Sequence, residues 1–121
     1  MSTQTPDSIV FFDRHEPEFD EYDTPQEKCI DGHPVQRTWH HFTSSDGKFF
    51  SGLWEAEPGC WRIRYTENEF CQVLEGHSVL RDVDGRETDL KPGDNLVIPA
   101  GFEGEWQVVE RTKKIYVIYE P

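Results

Sequence analysis

From Val35 to the C-terminus, apolar and polar residues alternate in short runs broken by glycine- and proline-bearing turns. That is the pattern of many short antiparallel strands. It predicts strands over Val35–Phe42, Phe49–Ala56, Cys60–Tyr65, Glu69–Leu74, His77–Val83, Glu87–Leu90, Asn95–Ile98, Glu105–Val109 and Ile115–Tyr119. Ser45-Asp46-Gly47-Lys48 and Asp84-Gly85 sit between neighbouring runs as hairpin turns, with glycine supplying a positive φ. Pro58-Gly59, Pro92-Gly93 and Pro99-Ala100-Gly101 turn the chain elsewhere. No window sustains a 3.6-residue apolar period, so little helix is expected. A regular succession of short strands means a sandwich or a barrel.

Residues 1–34 follow a different pattern. They are rich in acids (Asp13, Glu16, Glu18, Asp20, Glu21, Asp23) and carry Pro17, Pro25 and Pro34. Only Ile9-Val10-Phe11-Phe12 reads as a strand; the rest reads as an extended arm with little regular structure. Such an arm either drapes over the barrel or swaps onto a partner subunit. The expected division is an arm over 1–34 and one β domain over 35–121, which is the size of a single core.

Composition narrows the function classes. Hydrophobic residues make 35 % of the chain and aromatics 13 %, so much of the core is expected to be aromatic. A net charge of −12 argues against nucleic acid and anionic membrane surfaces as partners. Cys29, Cys60 and Cys71 follow no metal-ligand spacing, and an odd number suits no disulfide framework. They read as reduced thiols of a cytoplasmic protein. The opening MSTQTPDSIV has no basic segment followed by an apolar run, and no stretch approaches membrane-spanning length.

Two glycine-bracketed blocks carry the family signal. Glu69 and Gly76 have an E-x6-G spacing; Gly93, Pro99 and Gly101 have a G-x5-P-x-G spacing, with a short hairpin between the blocks. These match the two motifs of cupins in order. Gly52-Leu53-Trp54-Glu55, Pro58-Gly59-Cys60-Trp61-Arg62, Glu69-Phe70-Cys71, the run Pro99 to Trp106 and Lys114-Ile115-Tyr116-Val117-Ile118 resemble small single-domain cupins of the ethanolamine-utilisation and ureidoglycine-aminohydrolase type. The resemblance covers about 36–120. It implies an all-β fold, a double-stranded β-helix or jelly-roll barrel with an irregular acidic N-terminal arm, and it favours a homodimer.

The resemblance also exposes what is missing. Cupin metal sites use His-x-His, a glutamate and a last histidine. Here the first pair of slots falls on Ile63 and Tyr65, or on Arg62 and Arg64 with the longer spacing, and the last on Gly104; only Glu69 survives. One carboxylate does not hold a transition metal, so neither a bound metal nor another cofactor is expected. His40 and His41 are adjacent, so at most one of them faces inward to join Glu69 and Cys71.

Strand alternation then predicts the lining. Tyr65 facing inward brings Ile63 and Trp61 with it and leaves Arg62 and Arg64 outside; Glu69 brings Cys71 and Val73; Gly104, Trp106 and Val108 share a face. Trp61, Ile63, Cys71 and Trp106 are thus the expected ligand contacts, with Glu69 and Tyr65 as the reactive pair. A carboxylate in an apolar barrel is expected to have a raised pKa unless it is paired. Lys114 is left open between pairing with an acid at the barrel end and being solvated.

Two functions compete, beside a third reading as a structural subunit whose pocket is vestigial. One is a metal-independent binder of a small polar, amine- or amino-acid-like molecule, held by cation–π contact and charge pairing. The alternative is a small-molecule lyase, isomerase or hydrolase using Glu69 and Tyr65 as acid and base.

Overall fold

The computed structural model describes residues 9–14 and 16–121. The first eight residues of the MSTQTPDSIV opening lie outside them. Among the described residues, nine strands form one curled sheet: β1 (Phe19–Asp23), β2 (Cys29–Asp31), β3 (Val35–Thr43), β4 (Phe49–Ala56), β5 (Gly59–Arg64), β6 (Asn68–Asp82), β7 (Glu87–Leu90), β8 (Asn95–Ile98) and β9 (Glu103–Tyr119). The one helical element among the described residues is a 3-10 turn, Gln26–Lys28. No helix there is long and apolar enough to cross a membrane.

β9 organises the barrel. One edge pairs with β6 along nearly its whole length, and the other pairs first with β5 and then with β4. β3 and β1 extend the β4 side, β2 closes onto β5, and β7 and β8 pair with the two halves of β6. All these pairings are antiparallel. The sheet wraps a core of Trp54, Trp61, Trp106, Val73, Leu80, Leu90, Ile98, Val108 and Tyr116. This is a jelly-roll barrel, one of the two architectures the strand pattern allows and the one the resemblance to cupins implies.

Three expectations are corrected. Ile9–Phe12 forms no strand; it runs irregularly into a turn. The arm carries more regular structure than its composition suggests, because β1 and β2 both join the sheet. Backbone pairing with β3 and β5 orders these acidic residues, although β1 buries none of its side chains. The runs Glu69–Leu74 and His77–Val83 are one strand, β6, and Glu105–Val109 and Ile115–Tyr119 are one strand, β9.

Gly76 explains the first merger. It looks like a terminator, but it sits at a bulge within β6, where the register shifts against β9. Its φ is +89°, and a Cβ there would lie 2.0 Å from the Arg111 carbonyl oxygen. Only glycine meets both demands. The bulge lets the β6–β9 ladder bend around the core without a break, which brings both halves of β9 to one pocket.

Candidate functional site

The barrel holds an open pocket of about 400 Å³. Trp54 on β4, Trp61 on β5 and Trp106 on β9 form its aromatic wall. Two of these rings are fixed by hydrogen bonds. The Trp106 indole N–H donates to Ser78 Oγ at 3.1 Å, and that of Trp54 donates to Gln36 Oε1 at 2.8 Å. Gln36 in turn donates to Thr24 Oγ1 at 2.8 Å, and Thr24 donates to the Pro34 carbonyl at 2.7 Å. Buried residues of the arm thus hold one wall of the pocket. Tyr22 of β1 also lines it and hydrogen-bonds Thr38 at 3.1 Å.

Tyr65 follows β5 and is held by the second motif. Its N–H donates to the Phe102 carbonyl at 2.8 Å, and its carbonyl accepts from Gly101 at 2.7 Å. Ala100 N–H donates to Asn68 Oδ1 at 2.9 Å. The Pro99–Gly101 turn therefore clamps the β5–β6 connection and aims both Tyr65 and Glu69 inward.

Glu69 is not alone. Lys114 Nζ lies 2.9 Å from its Oε2, and the two side chains are 5 % and 6 % exposed. The same ammonium stands 4.4 Å from the Trp106 ring centroid and 4.7 Å from that of Trp54. Lys114 is thus neither solvated nor at the barrel rim. It is the cation inside the aromatic wall.

This geometry reverses the expected titration of Glu69. Burial pushes the carboxyl up, but the Lys114 charge and hydrogen bonding from Lys114, Tyr65 and Cys71 outweigh it and hold Glu69 below its ordinary value. Burial pushes Lys114 down, and the Glu69 charge more than restores it, so its pKa is raised. The pair is ionised at neutral pH. Tyr65 is raised, chiefly by burial, and stays a neutral phenol. Cys71 is pushed up to about 12, first by burial, and is an unactivated thiol.

The pocket also carries polar groups away from the ion pair, set among Phe50 and Ile118. His40 hydrogen-bonds Tyr116 Oη at 2.9 Å and Thr43 Oγ1 at 2.5 Å, and burial lowers its pKa. His41 points the other way and stacks on Phe12 at 4.2 Å between ring centroids. Of the adjacent histidines, one reaches the pocket, as alternation requires.

The structure therefore brings Trp61, Ile63, Tyr65, Glu69 and Trp106 together around one cavity. Cys71 is fully buried beside the Glu69–Lys114 pair and is not part of the cavity lining. Lys114, Trp54, Tyr116 and Tyr22 are not assigned to the pocket from sequence, and His40 is the one of the two adjacent histidines that reaches it. For Lys114 and Tyr116 a signal exists, because both share the even-numbered face of Trp106 and Val108 once β9 is read as continuous. Tyr22 carries no such signal.

The residues do not fit the metal that cupins commonly hold. The histidine slots carry Ile63, Tyr65 and Gly104, and a Cβ on Gly104 would lie 1.9 Å from the Arg81 carbonyl oxygen. Glu69 is committed to Lys114. Among the described residues, no group of three or more His, Cys, Asp or Glu is placed to hold a metal ion. Elemental analysis of protein purified without chelator is expected to show far less than one equivalent of Mn, Fe, Ni or Zn; a value near one contradicts this reading.

A jelly-roll barrel with both cupin motifs and an inward-facing glutamate defines the class as a cupin. The chain belongs to the EutQ-like cupin domain family, whose model matches residues 43–116. It is similar to the EutQ protein of Clostridium difficile, with 24 % identity over 72 % of this chain and 64 % of that one and a TM-score of 0.63. A DUF861-family protein of Pseudomonas syringae pv. tomato matches 92 % of this chain and 44 % of its own length, with 18 % identity and a TM-score of 0.74. A DUF861-family protein of Thermotoga maritima is 33 % identical over 53 % of this chain and 73 % of that one, with a TM-score of 0.52. The chain thus spans less than two thirds of the first two proteins. No curated protein matches it.

Proposed function

We propose that this protein is a metal-independent cupin that binds a small polar, amine- or amino-acid-like molecule in its barrel. The observation that carries the reading is the cavity of about 400 Å³, walled by three tryptophans and floored by a buried ion pair. That volume suits a small organic ligand, and few polar groups in an apolar cleft are what ligand recognition requires. The hydroxyl-bearing side, with Thr38, Tyr65 and Tyr116, supplies neutral donors and acceptors.

Binding is favoured over acid–base catalysis by the state of the reactive pair. A general base works best with a pKa near the working pH. Glu69 is held low by Lys114, and Tyr65 is raised by burial, so the two diverge from that range in opposite directions. The alternative, a lyase, isomerase or hydrolase related to ureidoglycine aminohydrolase, draws support from the Tyr65–Glu69 contact alone.

A calorimetric and thermal-shift panel of small amines, amino acids and neutral polar solutes tests the proposal. At least one compound is expected to saturate wild-type protein and to lose its effect in Trp61→Ala, which opens a wall without touching the ion pair. A panel in which nothing saturates would point to a vestigial pocket. Turnover of a bound compound, abolished in Tyr65→Phe, would favour the enzyme.

A further inference from the structure

The Glu69–Lys114 pair decides which charge of ligand the barrel accepts, and this deepens the reading of the barrel as a binding pocket. An aromatic wall with a carboxylate at its base is the recognition geometry for an organic cation. In this chain the cation is already present. Lys114 Nζ lies 2.9 Å from Glu69 and under 5 Å from two indole faces, at 4.4 Å from Trp106 and 4.7 Å from Trp54. The ammonium therefore faces one carboxylate and two π clouds, with the Cys71 thiol beside it. The anchor residues are fixed from behind: Trp106 by Ser78, Trp54 by Gln36, and Glu69 by its place on the β6–β9 ladder.

We propose that Lys114 is the resident cation of the barrel, that it excludes simple amines, and that the ligand carries no net charge. Among amine-bearing compounds, this selects the amino-acid zwitterion. A free monocation entering the cavity would meet an ammonium whose counter-charge is already used. A free anion would meet Glu69. A zwitterion, or a neutral polar molecule, matches a wall whose two fixed charges cancel and whose other polar side chains, hydroxyls, the Gln36 amide and the His40 imidazole, carry no formal charge. The tether also places positive charge at the barrel centre, where related folds use a metal, with no exchangeable ion.

Lys114→Ala tests the inference, because it empties the cation position and leaves Glu69 buried without a partner. Propylammonium chloride is expected to raise the Tm of this variant by several degrees at about ten times its Kd. Propanol and sodium chloride at matched concentration should leave it unmoved. The gain should vanish in Lys114→Ala/Glu69→Gln. Wild-type protein titrated with propylammonium should show no saturable movement of its indole N–H resonances. Saturable binding of propylammonium to wild type overturns the inference, and so does a Lys114→Ala variant that gains nothing from the amine. If that variant does not fold unaided, refolding in propylammonium is the readout, and failure to refold counts against the inference. Zwitterions that bind wild type without amine rescue of the variant would defeat the resident cation and leave the binding function intact. Rescue with no solute bound to wild type would do the reverse.

Discussion

Glu69→Gln and Lys114→Met are each expected to lower the unfolding free energy by about 3–5 kcal/mol, the cost of leaving one buried charge without its partner. The two side chains are 6 % and 5 % exposed, so water cannot replace the lost partner. The double variant Glu69→Gln/Lys114→Met should recover most of that loss. A neutral pair of similar volume removes both desolvation penalties, and such replacements are often close to neutral. Urea denaturation of the four proteins checks this. Single variants within about 1 kcal/mol of wild type would show that the pair is not the buried, coupled unit described, since a buried orphan charge costs more than that.

The pH dependence of the same proteins gives an independent sign. The folded pKa of Glu69 lies below its unfolded value of about 4.3. Its contribution is therefore complete above that value and is lost as pH falls through the depressed folded value. Lys114 is raised, so its contribution is complete below about 10.4 and is lost only at more alkaline pH. Between those limits the pair adds a constant term. In Lys114→Met the opposing charge is gone and burial governs Glu69, so its folded pKa moves above the unfolded one. That variant should become more stable as pH falls from 8 towards about 4.5, where protonation relieves the buried carboxylate. A wild-type-like profile in Lys114→Met would contradict the assignment of Lys114 as the group that holds Glu69 ionised.

Gly104→His is expected to fail as a route to a cupin metal site and to destabilise the fold by about 3 kcal/mol or more, the upper end for overpacking. Position 104 is the last histidine slot of the family motif. A Cβ there would stand 1.9 Å from the Arg81 carbonyl oxygen and 3.1 Å from the Asp82 Cα. Both obstacles are backbone atoms of β6, which a rotamer change cannot move. The histidine is therefore excluded by strand packing as well as absent from the sequence. Thermal denaturation with and without zinc or nickel tests this. A variant as stable as wild type that binds one equivalent of metal would show that the β6–β9 ladder yields at this point.

Most of the fold was legible because its signals are local. Alternation marked β3, β4, β5, β7 and β8 nearly to their ends, and the glycines at 47 and 85 marked hairpins with φ of +73° and +83°. Alternation also placed Trp61, Ile63, Tyr65, Glu69 and Trp106 on the inner face, where the structure has them. The failures share a cause. β1 is acidic and β2 is only three residues long, and their strand conformation comes from pairing with β3 and β5 rather than from their own propensity. β6 and β9 were cut at Gly76 and near Glu110, because a bulge and a strand end look alike until the partner strand is known.

By itself the sequence determined the short strands and the inward row that makes a pocket, through two-residue alternation, and its resemblance to the cupin motifs implied the barrel and the loss of the histidine ligands. Tertiary structure alone decided that the surviving glutamate is paired. Lys114 lies 45 positions after Glu69, and only the β6–β9 register, with Val73 opposite Lys114 and Glu69 opposite Ile118, brings the ammonium back onto the carboxylate. The same ammonium then stands over the rings of Trp54 and Trp106. Charge pairing across a barrel depends on distance in space, which residue spacing along one strand does not encode.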